Sequence, residues 1–175
     1  MHVLLSSIYH KSAYYGGNEQ YLHSLALGLS KDHRVTYVTA RASKTKNLPY
    51  ELIEVPVFSL LHNPLPSKQW LGVILKLKPD IYHASGSGFP LYATALALKL
   101  KYRTPTVLTY QGDSNPSNPI IKSLLPLEHS IQRRVFDTFI VTTPYYQKVL
   151  QQRWPKKNIA FIPLMLSPSL KQRVL

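Results

Sequence analysis

The sequence predicts an α/β domain built on a mainly parallel sheet. Three observations carry that prediction. Seven short strand-like segments alternate with five helix-like ones along 175 residues, the pattern of strand–helix–strand crossovers. Apolar residues make up 45%, enough for one ordinary core without staples, and disorder of the whole chain is thereby excluded. Glycines and small polar residues gather in the loops that follow strands, where open α/β sheets bind ligands.

Residues 2–8, HVLLSSI, are short and apolar and predict a buried first strand. A polar, aromatic stretch follows and ends at Gly16-Gly17. Asn18 is a candidate helix cap, and Glu19 falls in the first turn, where the helix dipole favours an anion. Leu22, Leu25, Ala26 and Leu29 then recur at one helical face. Residues 34–40, RVTYVTA, predict a second strand, and 41–50 a basic loop. Residues 51–57, ELIEVPV, predict a third, with Pro56 placing it at an edge or strand end. The segment 58–68 holds Pro64 and Pro66 and reads as irregular.

A helix over 69–77 stops before Pro79, and 80–84 forms a short strand. After the loop Ser85-Gly86-Ser87-Gly88, a Leu- and Ala-rich helix spans 89–101, with Pro90 tolerated in its first turn. Residues 105–110 predict a strand, and 111–119 a polar loop. Residues 120–134 suggest a helix that Pro126 interrupts or delays. A strand over 136–142, a helix over 145–154 and a last strand over 158–162 complete the alternation. The tail 163–175 has no periodic face, and no internal repeat is visible.

Lys and Arg number 21 against 8 Asp and Glu, a net charge of +13. Such an excess bears on partners rather than on fold: nucleic acid, anionic lipid and phosphorylated substrates are the classes it favours. No helix-turn-helix, RNP or zinc-knuckle signature accompanies the charge, so a nucleic-acid partner is not expected. No run of 18 apolar residues exists. The start, MHVLLSSIYHK, lacks the basic and apolar regions of a signal peptide. Cysteine is absent, which removes disulfides, thiolate metal sites and a cysteine nucleophile, and fits a reducing compartment.

The loops at strand ends hold the candidate site. Gly16 and Gly17 allow close backbone approach to a ligand at a helix N-terminus that favours phosphate, or they make a plain turn. His83 ends a short strand and offers a hydrogen bond or a titrating group, or is a satisfied strand-end histidine. Gln111 and Asp113 can bind sugar hydroxyls, although Asp113 also suits an Asx turn. His10, Lys11, Tyr14 and Tyr15 are candidates to line the same mouth. His2, His23, His33, His62 and His129 have no metal-ligand spacing, and neither a paired carboxylate for glycoside hydrolysis nor a GxSxG elbow is present.

Read in order, these pieces resemble a family. HVLLSSIY, GGNEQYLHSLALGLS, DHRVTYVTAR, KPDIYHASG, RTPTVLTYQGD, FDTFIVTTPYYQKVL and NIAFIPLML are similar to successive motifs of the N-terminal domain of family-four glycosyltransferases. The resemblance implies a Rossmann-like sheet of about seven strands with helices on both faces, one half of a GT-B fold. It implies retaining transfer of a sugar from a nucleotide-sugar donor to the hydroxyl of a saccharide or lipid-linked acceptor. Gly16 and Gly17 then approach the donor diphosphate, and Glu19, His83, Ser85, Gln111, Asp113 and Thr143 fall in the acceptor or sugar-binding cleft.

The departures are specific. Ser85 replaces the second histidine of the family's "H-x-H", and Gln111 replaces a later histidine. Glutamine donates and accepts hydrogen bonds but does not shuttle a proton, so Gln111 is assigned an orienting or sugar-binding role, not acid–base catalysis. Leu164-Met165 stands where Asn-Gly is usual. The expected organisation is an acceptor-side domain over 1–163 and the start of a linker or tail over 164–175. The donor domain, with its Glu-x7-Glu motif, lies outside this sequence. No cofactor or metal is expected, because the nucleotide-sugar is a substrate. The expected location is cytoplasmic, with peripheral contact to the inner membrane face. A non-catalytic carbohydrate- or anionic-lipid-binding module is the alternative.

Overall fold

A computed structural model describes residues 1–14, 16–43, 47–60, 63–112 and 119–163. Nine strands and five helices are seen among them. In chain order they are β1 (His2–Tyr9), α1 (Gly17–Leu29), β2 (Arg34–Arg41), β3 (Glu51–Glu54), β4 (Phe58–Leu60), β5 (Asn63–Leu65), α2 (Lys68–Leu77), β6 (Ile81–Ser85), α3 (Phe89–Tyr102), β7 (Thr106–Tyr110), α4 (Pro119–Val135), β8 (Thr138–Val141), α5 (Pro144–Arg153) and β9 (Asn158–Phe161). Seven strands form one sheet in the order β3-β2-β1-β6-β7-β8-β9, and every pairing in it is parallel. The chain winds outward from β1 to β3, then returns to β6 on the other side of β1. That reversal makes β1 and β6 the topological switch point, where α/β sheets open a crevice at their carboxyl ends.

Strand alternation sorts the core into two unequal parts. Leu4, Ala84, Leu108 and Phe139 face one side and are sealed under α2, α3, α4 and α5 with Trp70, Leu91 and Leu150. Trp70 is wholly buried, and its indole N–H donates to Thr94 Oγ1 at 2.8 Å, so its polar atom is satisfied as burial requires. Val3 and Leu5 face the other side and pack with Leu22 and Ala26 of α1, and with Val35, Tyr37 and Tyr50. Only α1 covers this second face among the described residues. The expected architecture is therefore present, with one helix on one face and four on the other among the described residues.

Four local expectations are corrected. Asn18 does not cap α1: Gly16 is the N-cap and offers no side-chain bond, while Asn18 sits within the first turn. The segment 58–68 is not wholly irregular, because β4 and β5 pair as an antiparallel ribbon. Pro64 is tolerated there because a two-stranded ribbon has free edges. β3 stops at Glu54, its ladder closing with Val55 N–H on the Thr39 carbonyl at 2.9 Å before Pro56, which has no N–H to give. Pro126 lies inside a continuous α4 on an exposed position, where the missing backbone bond is cheapest.

Candidate functional site

A polar cavity of about 280 Å³ opens at the carboxyl ends of β6 and β7. Its floor is the end of β7 and the following loop, Thr109 to Gly112. Gly86 and Ser87 after β6 and Asn18 of α1 form one wall, and Glu128, His129 and Gln132 of α4 form the opposite one. Tyr146 of α5 closes an end.

Short hydrogen bonds and close backbone approaches fix these walls. Ser85 is buried, and its Oγ donates to Asn18 Oδ1 at 2.6 Å, tying the β6 loop to the first turn of α1. Gly112 has φ +141, and a Cβ there would lie 2.7 Å from the Tyr146 hydroxyl. Both facts select glycine at this turn. A Cβ on Gly16 would overlap Glu19 Oε2, so Gly16 leaves room for the Glu19 carboxylate to fold back over the α1 N-terminus. Burial raises the Glu19 pKa, and a bond from its own backbone N–H pulls it back in part. Gly17 lies beside Gln111, whose Oε1 would be 4.0 Å from a Cβ on that glycine.

The α4 wall is a closed hydrogen-bond triangle. The Tyr92 hydroxyl of α3 donates to Glu128 Oε1 and accepts from Gln132 Nε2 at 2.8 Å. Gln132 Nε2 also points at Glu128 Oε1, at 3.4 Å. Gln132 is 3% exposed, and its Oε1 meets no protein group among the described residues. Gln111 Nε2 is likewise buried without a partner among the described residues. Both side chains line the cavity, while these two amide atoms are themselves closed to solvent.

The sequence-derived residues divide. Gln111 lines the cavity, and Ser85 holds its wall through Asn18. Gly16, Gly17 and Glu19 stand at the adjoining helix N-terminus. His83 lies elsewhere: it is 6% exposed and borders an apolar groove of about 500 Å³ beside α1. Its Nε2 and Thr109 Oγ1 are 2.7 Å apart, and burial pushes its pKa down to about 4, so it is neutral at pH 7. Thr143 caps α5, its Oγ1 accepting from Tyr146 N–H at 3.3 Å. Asp113 and residues 164–175 lie outside the described residues, as does Tyr15.

His10 does not line the mouth. It is 1% exposed and bonds Tyr50 Oη at 2.9 Å, and His23 Nδ1 bonds the same hydroxyl. Burial, and after it Lys11, lowers both histidines to about 4. Glu128 and Gln132 were not singled out from the sequence, although their i, i+4 spacing puts them on one helical face. No group of three metal-ligating side chains occurs among the described residues.

This fold and crevice define a class: a Rossmann-like domain of the kind that forms one half of a GT-B glycosyltransferase. Family-level comparison makes it specific. The model of Glycosyltransferase Family 4 matches residues 15–169, and the chain belongs to that family. No curated protein matches the chain by sequence. Among solved structures it is similar to Anabaena HepE in complex with UDP and glucose, with a TM-score of 0.60 and 17% identity over 98% of this chain and 50% of that one. It is also similar to a glycosyltransferase from Rickettsia africae, with a TM-score of 0.58 and 14% identity over 99% of this chain and 48% of that one. A UDP-N-acetylglucosamine 2-epimerase gives a TM-score of 0.56 and 15% identity over 90% of this chain and 44% of that one. The chain thus spans about half the length of these three relatives. At these identities the likeness concerns the fold.

Proposed function

We propose that this domain is the acceptor-binding half of a retaining glycosyltransferase. In this reading a sugar passes from a nucleotide-sugar donor to a hydroxyl of a saccharide or lipid-linked acceptor. The single observation that supports it best is the polar cavity at the carboxyl ends of β6 and β7, lined by Gln111, Glu128 and Gln132 beside the α1 N-terminus. Gln111 orients the acceptor. His83 serves as neither acid nor base, because it is buried, neutral and turned to the groove.

The donor diphosphate would approach Gly16 and Gly17 at the α1 N-terminus, where free N–H groups attract an anion. Glu19 now holds a carboxylate over that position, so donor entry displaces it. The sequence has four glutamates, at positions 19, 51, 54 and 128, and no two are eight apart. A donor half carrying the Glu-x7-Glu pair is therefore needed, and this chain alone transfers no sugar. The net charge of +13 suits peripheral contact with an anionic inner membrane face, each basic residue near the surface adding about 1 kcal/mol.

The test is to titrate the chain with free saccharides and with UDP-glucose, and to assay transfer in parallel. The expected result is saccharide binding, weaker nucleotide-sugar binding and no transfer. Tighter binding of UDP-glucose than of any saccharide would overturn the acceptor-side assignment. Sugar transfer by the chain alone would overturn the half-enzyme assignment. Co-sedimentation with phosphatidylglycerol vesicles that fades as salt rises is the expected mark of the membrane contact.

A further inference from the structure

We propose that the outward face of α3 is a docking surface for an anionic lipid bilayer, with Leu96 and Leu100 entering the apolar layer and the cations around them meeting the headgroups. The proposal rests on the membrane contact read above from the net charge, and it gives that contact a place on the fold.

Three sides of α3 are taken. Leu91, Ala95 and Leu98 face the sheet and are buried. Thr94 meets Trp70 of α2, and Tyr92 meets Glu128 and Gln132 of α4. The fourth side holds Phe89, Ala93, Leu96 and Leu100, which recur at i, i+4, i+7 and i+11 on one helical face. All four are apolar, and residues 89–98 include no charged side chain. A helix on the outside of a domain ordinarily turns polar residues to water. Here Phe89 and Leu96 are exposed, and Leu100 is 78% exposed, more than any other large apolar side chain among the described residues.

Cations ring the C-terminal end of this stripe. Lys101 and Arg103 close α3 itself. Lys76 and Lys78 close α2, which is held to α3 where the Tyr102 hydroxyl donates to the Leu75 carbonyl at 2.8 Å and Thr104 Oγ1 to the Pro79 carbonyl at 3.3 Å. Arg133 and Arg134 close α4, whose Val135 carbonyl lies 3.5 Å from Lys99 Nζ. All six are exposed, and none is in an ion pair among the described residues. The carboxylates of the same turns are engaged. Asp137 pairs with Lys99 and accepts from Thr106 N–H, and Asp80 accepts from His2 N–H at 2.7 Å. The turns 78–80, 103–105 and 136–137 lie wholly within the described residues.

Cations suit helix C-termini in general, but that does not account for leucines set among them. Leucine and cation together fit a surface that is anionic outside and apolar beneath. A nucleic acid would use the cations and leave the leucines in water. A second copy would cover the leucines but bring six cations against six. The stripe starts at Phe89, two residues after the Ser87 that lines the cavity, so a bilayer along α3 runs towards the cavity, which suits a lipid-linked acceptor.

The experiment is co-sedimentation of the 175-residue chain with vesicles of equal parts phosphatidylglycerol and phosphatidylcholine, and with phosphatidylcholine alone, at about 150 mM salt. The chain should bind the mixed vesicles and not the neutral ones. Leu96→Ser with Leu100→Ser should weaken binding at least about tenfold. Lys101→Glu with Arg103→Glu should also weaken it at least about tenfold. All four positions are exposed, so these changes leave the core intact. Leu27→Ser on α1 and Lys148→Glu on α5, exposed on other elements, should leave binding unchanged. Leu100→Trp reports insertion: Trp70 and Trp154 are buried, and emission of the new indole should shift to the blue on the mixed vesicles. Binding that ignores the Leu96 and Leu100 changes, or a Leu100→Trp emission unmoved in bound protein, would overturn this surface and leave the membrane contact standing. A dimer in solution that the two leucine changes dissociate would assign the face to a second copy and overturn the proposal. No binding to the mixed vesicles would overturn contact and surface together and leave the acceptor-side assignment untouched.

Discussion

The polar cavity and the apolar groove share one partition, the His83–Thr109 hydrogen bond. Thr109 lines the cavity, and His83, across 2.7 Å, lines the groove. The two hollows differ in where their walls come from. The cavity is built from strand ends, helix first turns and the polar stripe of α4. The groove is built from strand interiors, among them Val3, Ile81, Val107 and Ile140, with the flank of α1. Strand interiors alternate strictly, so whichever face lacks a helix presents apolar side chains. Strand ends release the chain into loops and helix starts, where polar groups and glycines can converge on a ligand. Position along a strand, more than residue type, decides whether a side chain serves packing or chemistry here.

Substitutions on neighbouring residues break or sharpen this contrast. The largest effect is expected on the sealed face. Phe139→Ala should cost about 3–5 kcal/mol, and Val107→Ala, turned to the groove, about 1 kcal/mol or less, by urea unfolding. Near-equal losses would mean that the groove is packed as tightly as the sealed face.

The next effect is a pH dependence. His10, His23 and His83 have folded pKa values near 4, below the ordinary 6.5, each chiefly through burial. Between those values the unfolded chain binds protons that the folded chain refuses. Their contribution is thus fully present above pH 6.5 and is lost as pH falls towards 4, with a slope of up to about one proton per histidine. Denaturant midpoints measured from pH 7.5 down to pH 4 would check this. A flat profile would show that these rings protonate in the folded state.

Gly112→Ala is smaller in stability and larger in binding. Its φ of +141 and the Tyr146 hydroxyl both oppose a Cβ, at a cost of about 1–3 kcal/mol. Saccharide affinity should fall with it, since Tyr146 closes the cavity. The smallest effect concerns Thr143→Ala. Loss of the α5 cap should cost about 1 kcal/mol while leaving saccharide affinity unchanged. A clear loss of affinity would place Thr143 in the cleft after all.

Much of the scaffold was legible because it depends on local pattern. Each of the seven strands of the sheet and each of the five helices lies on a segment whose apolar run or helical face marked it in advance. The place of Gln111 on the cavity was legible because a strand end before a polar loop is a local signal. Other features depend on meetings between distant elements. Asn18 reads as a cap but is taken by Ser85 across the crevice. His10 reads as a loop histidine but is drawn into the core by the Tyr50 hydroxyl, 40 residues away. Gln132 looks like any polar residue on α4 until Tyr92 and Glu128 fix its amide. Side-chain orientation of this kind follows from packing, which periodicity does not encode.

The most direct test of the central idea is to locate a bound saccharide on the 175-residue chain by NMR. The prediction is that glucose or N-acetylglucosamine shifts Gly86, Gln111, Gly112 and Tyr146 at the cavity, while Leu25, Gly28 and Ile140 at the groove stay still. Shifts concentrated at the groove, or no shifts at either place, would contradict it.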